Sequence, residues 1–265
     1  MSGTRPTAVA GTFYPGEGSA LAREVASYMA GVPRREAIAP KAIIAPHAGY
    51  IYSGPIAASA YAEVETRRAS VTRVVLAGPA HRAFVRGLAV PSARIFDSPL
   101  GPIPVDRDGM DALRALPFVE VSDRAHAFEH SLEVHLPFLQ STLDHFTLVP
   151  MVVGDAGPED MARAFEAVWG GEETLVVVSS DLSHYLSYDA ACRRDRLTAE
   201  SILAFDARVD PEEACGAAPI NGLLTVARRR GMAAELLDLR NSGDTAGDRE
   251  RVVGYAAFAF RDRPA

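Results

Sequence analysis

Short apolar runs rich in Val, Ile and Leu recur along the chain: "KAIIAP" from Lys41, "VTRVVLAG" from Val71, "FTLVPMVVG" from Phe146, "TLVVVSSD" from Thr174, "AELLDL" from Ala234 and "VVGYAAFAF" from Val252. Between most of them lie stretches with helical spacing and helix-forming composition, at Gly18 to Met29, Pro55 to Val64, Pro158 to Trp169 and Ala190 to Phe205. Continuous apolar strands alternating with helices predict an α/β fold, a central mixed and mostly parallel sheet covered by helices on both faces. No Ser/Gly-rich linker, low-complexity tract or internal repeat divides the chain, so residues 1–265 are expected to form a single domain.

The segment "EHSLEVHLPFLQSTL", Glu129 to Leu143, predicts a helix with Leu132, His135, Leu136 and Leu139 at helical spacing and Pro137 disturbing its first turns. "FDSPLGPIPVD", with three prolines and a glycine, reads as a surface loop with short strands. "VVGYAAFAF" suits a core strand better than a dimer edge.

Composition narrows the function classes. Of the 265 residues 48% are hydrophobic and 23% charged, enough apolar residue to bury a large core. The formal net charge of −7 offers no general pull toward nucleic acid or an anionic membrane, and "RRR" at Arg228 to Arg230 reads as a solvated helix end. No window has the length of a membrane span and no signal-peptide pattern opens the chain. The two cysteines, Cys192 and Cys215, make neither a disulfide framework nor a CxxC pair, so a reduced cytoplasmic compartment is expected and each reads as a small core residue.

The seven histidines carry the chemistry. His47 follows "KAIIAP", His81 follows "VTRVVLAGPA", Asp181 and His184 follow "TLVVVSS", and Asp244 follows "AELLDLRNSG". Sites in open α/β sheets form outside the carboxyl ends of the strands, where a rigid sheet aims loop residues at one pocket. Two imidazoles and a carboxylate can occupy one face of a metal and leave positions open for substrate, dioxygen or water. That set suits non-haem Fe(II), and zinc accepts it too. His47, His81 and Asp244 are the candidate ligands, with His184, backed by Asp181, as an acid/base pair titrating near neutral pH.

Several alternatives fail. His130 and His135 flank Glu133 five residues apart, about 500° around a helix, so no zincin motif is present. His130 near the helix start can still face the pocket, whereas His135 is expected to be packed or solvent-facing. "SSDLSH" lacks a G-x-S-x-G elbow, so Ser179 and Ser180 read as loop hydrogen-bonding residues, and no phosphate-binding glycine motif follows any strand.

The pieces "RPTAVAGTFYPG", "APHAGYIYSG", "VVLAGPAHR", "EHSLEVHLPFLQ", "SSDLSHY", "CGAAPI" and "NSGDTAGD…VVGYAAFAF" together resemble the Memo family, whose bacterial and archaeal members are often called AmmeMemoRadiSam system protein B. The resemblance implies a fold like that of class III extradiol dioxygenases, which open catechol rings with Fe(II). It also implies a pocket built from His47, His81, His184 and the segment around Asp244, supported by His130 and Asp181. Vertebrate Memo proteins have a cysteine near the position matched by Asp244 and have been linked to iron, copper and redox chemistry. This chain has none in that segment, which moves the expected site from a copper thiolate toward His/His/carboxylate. Radical SAM and AMMECR-type proteins are the partners that the resemblance implies.

The leading expectation is an Fe(II)-dependent, dioxygenase-like oxidoreductase of small molecules such as aromatic diols, with zinc or copper as the alternative metals. His47, His81 and Asp244 would hold the metal, His184 would move the substrate proton, His130 would orient oxygen, and Tyr50 or Tyr52 would line the pocket or simply pack. The alternatives are a non-catalytic protein that binds a metal or a peptide beside a partner enzyme, and a zinc hydrolase using the same ligands.

Overall fold

Five of the six apolar runs become strands buried along nearly their whole length, and "AELLDL" becomes one that is only half-buried. Side chains alternate between the two faces of a strand, so a run apolar at every position requires cover on both. This computed structural model describes residues 3–33 and 39–263. The strands are β1 (Thr4–Arg5), β2 (Ala42–Ala45), β3 (Arg73–Pro79), β4 (Leu88–Val90), β5 (Ile95–Phe96), β6 (Ile103–Pro104), β7 (Val119–Val121), β8 (Thr147–Val153), β9 (Thr174–Ser179), β10 (His184–Leu186), β11 (Ala233–Asn241) and β12 (Val252–Arg261). The helices are α1 (Gly18–Ala30), α2 (Tyr50–Glu65), α3 (Arg107–Arg114), α4 (Asp123–Ala127), α5 (His130–Glu133), α6 (Leu136–Thr142), α7 (Pro158–Val168), α8 (Tyr188–Leu203) and α9 (Ala217–Arg229).

Among the described residues, nine strands form the main sheet in the order β10-β12-β2-β9-β3-β8-β4-β7, with β11 also paired to β12. The central strands β2, β9, β3 and β8 run parallel. Antiparallel pairing begins on either side, β12 against β2 and β4 against β8. The sheet is therefore mixed with a parallel centre, and the α/β class read from the sequence is the observed one. On it α2 packs against β2, β11 and β12, while α9 packs against α7, β3 and β9.

Register decides where the loops emerge. Ala45 of β2 lies opposite Ser179 of β9, and Ala77 of β3 opposite Val178. Three adjacent parallel strands thus end together, and the residues just beyond them are His47, Asp181 and His81. Because β11 is antiparallel to β12 and β12 to β2, β11 ends at the same edge, but beyond β12.

Local differences from the sequence reading have local causes. The stretch from Glu129 to Leu143 is two helices, α5 and α6, because Pro137 lacks an N–H to continue α5 and is instead tolerated in the first turn of α6. Helix α2 starts at Tyr50 rather than at Pro55, its first turn anchored from outside by the Tyr50 N–H, which donates to Phe13 O. "VVGYAAFAF" is the core strand β12, and Arg228 and Arg229 end α9 as expected. Among the described residues no helix is long and apolar enough to cross a membrane.

Candidate metal centre

Three imidazoles, those of His47, His81 and His130, converge at the edge where β2, β9 and β3 end. One nitrogen from each lies within 4.8 Å of the others. His81 and His130 are stacked, with centroids 4.6 Å apart and planes 22° apart, and His47 meets both edge-on at 5.2 and 5.5 Å. His130 reaches the group because α5 presses onto β3. A Cβ at Gly78 would fall 2.8 Å from Ser131 Oγ and 3.0 Å from Leu132 Cδ2, so only glycine permits that approach.

Hydrogen bonds fix which nitrogens are free. The Ser179 hydroxyl donates to Ser131 O at 2.6 Å, so its oxygen accepts from His47 Nδ1, also at 2.6 Å. The Nδ1–H tautomer leaves the Nε2 lone pair of His47 exposed to the site. Glu129 does the same for His81, whose Nδ1 lies 2.9 Å from Oε1. Burial works to raise the Glu129 carboxyl, but hydrogen bonds from His81 and Ser131 and the His81 charge outweigh it and hold the group at about 2. His130 Nδ1 is buried and lacks a hydrogen-bond partner, because its 3.4 Å approach to Glu129 Oε1 is not aligned for a bond. Burial keeps the His47 imidazole well below its ordinary range, and burial followed by the neighbouring His81 lowers that of His130 to about 4. Two imidazoles whose Nδ1 atoms are taken by Glu129 and Ser179, and a third with an orphaned ring nitrogen, fit a metal ion; imidazole suits zinc, copper and iron alike.

Around this group the other candidates fall into place unequally. Asp181 is buried below it, and its Oδ1 accepts the His47 backbone N–H at 2.8 Å. Burial raises the Asp181 carboxyl to about 7, against the opposing pull of the His47 N–H and the His81 charge. His184 begins the edge strand β10, is exposed, and lines a cavity of about 350 Å³ with Leu186, Arg194, Pro211 and Glu212. The next residue, Tyr185, has φ +60°, and the β10–β12 register shifts there, a bulge of the kind found beside functional sites.

Asp244 is not brought into the imidazole group. It closes a capping box at the end of β11, where Oδ2 accepts the Asn241 N–H at 3.0 Å and Oδ1 accepts the Tyr188 hydroxyl at 2.6 Å. Tyr50 is buried with its hydroxyl donating to Val134 O, which makes it a packing residue, while Tyr52 is partly exposed. His135 is buried against the Tyr61 hydroxyl.

Two contributors were missed by sequence reasoning. Glu129, read only as the first residue of a helix, is the carboxylate of the site. Cys215, read as a small core residue, has its Sγ 3.4 Å from His47 Nε2. The fragment "CGAAPI" carried the second signal, without indicating where it folds.

Residues 5–259 match the family model described as Memo-like protein. The chain is 34% identical to a MEMO1 family protein of Aquifex aeolicus, covering 97% of this chain and 98% of that one. It is 36% identical to a MEMO1 family protein of Ignicoccus hospitalis at the same coverage, and 36% identical to one of Methanosarcina barkeri, over 96% of this chain and 98% of the other.

Proposed function

The chain belongs to the Memo family, and from that premise and the three imidazoles we propose that it binds a metal ion through His47, His81 and His130 and works as a non-haem-iron type of oxidoreductase in the cytoplasm. The carrying observation is the convergence of three histidine nitrogens within 4.8 Å, one from each of three separate chain segments. Support also comes from the supporting shell, because Ser179 and Glu129 hold His47 and His81 with their lone pairs turned inward. Bound Fe(II), the metal favoured by the resemblance to extradiol dioxygenases, would supply one-electron and dioxygen chemistry; zinc or copper would fit the same donors.

In this reading the protein's own groups do the rest. Asp181, with its carboxyl near 7, holds or releases a proton beside the His47 backbone at neutral pH. His184, at the rim, exchanges protons with substrate entering from solvent. The partly exposed Tyr52 offers an aromatic wall to a diol.

A second reading, a metal- or peptide-binding protein acting beside a partner such as a radical SAM or AMMECR-type protein, is favoured by one observation. Ile51, Phe84, Phe128 and Tyr185 are large, exposed and apolar, and each lies within four residues of His47, His81, His130 or His184. Exposed apolar side chains so near these histidines in sequence suit a peptide or protein surface as well as a small molecule.

Anaerobic purification followed by metal analysis tests the proposal, with His47→Ala, His81→Ala, His130→Ala and Asp244→Ala side by side. Near-stoichiometric iron lost in the three histidine variants and retained in Asp244→Ala is the expected result. Loss in Asp244→Ala with retention in His130→Ala would replace His130 by the carboxylate. Turnover of catechols under oxygen by the iron-loaded protein separates the enzyme from the binding protein.

A further inference from the structure

The cavity of about 350 Å³ that His184 lines has walls of different character. Leu186 and Pro211 are apolar, His184 and Arg194 offer nitrogen donors, and Glu212 is the one acid among its lining residues. Small-molecule sites span about 300–1,000 Å³. This cavity lies near the lower end of that range, which suits a single-ring compound rather than a nucleotide or a peptide.

Two of its walls run into the candidate metal centre. His184 lies within electrostatic reach of both His47 and His81. Pro211 and Glu212 belong to the turn that continues to Cys215, whose Sγ is 3.4 Å from His47 Nε2. The third wall, α8, is fixed to the first from inside. Ser183, next to His184, donates its N–H at 3.0 Å to Oδ1 of Asp195, next to Arg194, and both residues are buried. A Cβ at Gly254 would fall 2.0 Å from Asp195 Oδ2, so only glycine on β12 admits that carboxylate. His184 and Arg194 thus line one cavity, each held in place by an immediate neighbour in the same buried hydrogen bond.

Arg194 is not committed to Glu212. Its Nη2 stands 3.6 Å from Glu212 Oε2, too far for a hydrogen bond, and the Glu212 side chain is 82% exposed. Such a pair contributes little in water. A carboxylate brought by a ligand can accept two guanidinium N–H groups at once and displace it.

We propose that this cavity is the substrate site of the metal centre and takes a single-ring aromatic diol bearing a carboxylate, anchored by Arg194. The inference rests on the metal-binding reading above and adds the substrate class to it. The acid group would meet Arg194, the ring would lie against Leu186 and Pro211, and the diol would take the His184 side, toward the imidazoles. The chain as a whole carries a formal charge of −7 and repels an acidic ligand, so recognition needs a local cation. Arg194 is the one arginine or lysine that lines the cavity. A neutral diol would leave it facing Glu212 and gain nothing from it.

Calorimetric titration of the zinc-loaded protein with catechol and with 3,4-dihydroxybenzoate tests this, because the two ligands differ by one carboxylate and zinc keeps oxygen chemistry silent. The wild type is expected to bind 3,4-dihydroxybenzoate at least about tenfold more tightly than catechol, the usual effect of a hydrogen-bonded charge. In Arg194→Gln that preference disappears, while catechol affinity and zinc content are unchanged. Equal binding of the two ligands by the wild type, or binding of neither by protein that holds zinc, would overturn the substrate assignment and leave the metal site standing. That comparison needs no variant to fold. A preference that persists in Arg194→Gln would overturn the anchoring role of Arg194, and failure of the wild type to take up zinc would overturn both readings.

Discussion

Glu129 grips His81 at two points. One carboxylate oxygen accepts the His81 backbone N–H at 2.5 Å and the other lies 2.9 Å from Nδ1. The second oxygen also accepts the Ser131 N–H at 3.0 Å, so the same side chain ties the loop after β3 to the start of α5. One ionised carboxylate therefore sets both the ring orientation of His81 and the position of the segment bearing His130.

Replacing Glu129 by Gln preserves its size and removes its charge. The amide can accept from His81 at one atom only, and the imidazole loses the partner that makes Nε2 more basic. Metal affinity should fall by about 10–100-fold, the usual effect of losing such a supporting carboxylate. Calorimetric titration of the metal-free protein with Zn²⁺ measures this, and unchanged affinity would remove Glu129 from the site.

Ser179→Ala addresses the tautomer of His47. Without the hydroxyl, His47 Nδ1–H and Ser131 O both lose a partner in a buried setting, at a cost of about 1–3 kcal/mol for each unsatisfied group. The ring is then free to turn or to switch tautomer. We expect a drop in Tm together with at least tenfold weaker Zn²⁺ binding. A drop in Tm with intact affinity would show that Ser179 stabilises the fold without orienting the ligand.

How much of this was legible in the sequence follows from what each residue needed. His47, His81 and Asp181 each stand directly after a continuous apolar run, and parallel neighbours end at one edge, so their placement there could be read from pattern alone. Asp244 obeyed the same rule, but β12 intervenes between its strand and β2, and its carboxylate is used by a local cap. Glu129 and Cys215 follow no strand. Glu129 reaches the site because α5 docks on Gly78, and Cys215 because its turn docks on Ser180, and such packing contacts leave no periodic trace. Tyr50 and Tyr52 differ by two positions at the start of one helix, which turns one into the core and the other outward.

The N-terminal segment depends on one buried ion pair. Glu133, fully buried, accepts from the Arg5 guanidinium, from the Ala8 and Val9 N–H groups, and from the Tyr14 hydroxyl at 2.6 Å. The same segment carries Phe13, whose ring centroid is 4.8 Å from that of His130. Glu133→Ala leaves Arg5 buried without its counter-charge, which should cost about 3–5 kcal/mol and lower Tm on the order of 10 °C. Limited proteolysis should then cut within residues 5–14. Adding Arg5→Met should restore part of the lost stability; no recovery in the double variant would mean that the backbone bonds to Glu133, and not the charge pair, hold the segment.

His126 makes the fold sensitive to acid independently of any metal. Its Nε2–H donates to Ala89 O at 2.9 Å, and its ring packs edge-on against Phe96. Burial lowers its pKa from 6.5 to about 4. Between those values the unfolded chain binds a proton that the folded protein refuses, so stability is lost as pH falls through this window. At 1.36 kcal/mol per pKa unit the loss from this residue is about 3 kcal/mol at most. Asp181, raised by burial, acts in the opposite sense, and comparing variants at a single position cancels its effect. Urea denaturation of metal-free wild type and His126→Gln at pH 7 and pH 4.5 should therefore show a smaller acid-induced loss in the variant, even if the variant is less stable at pH 7. Equal losses in both would mean that His126 is protonated in the folded state.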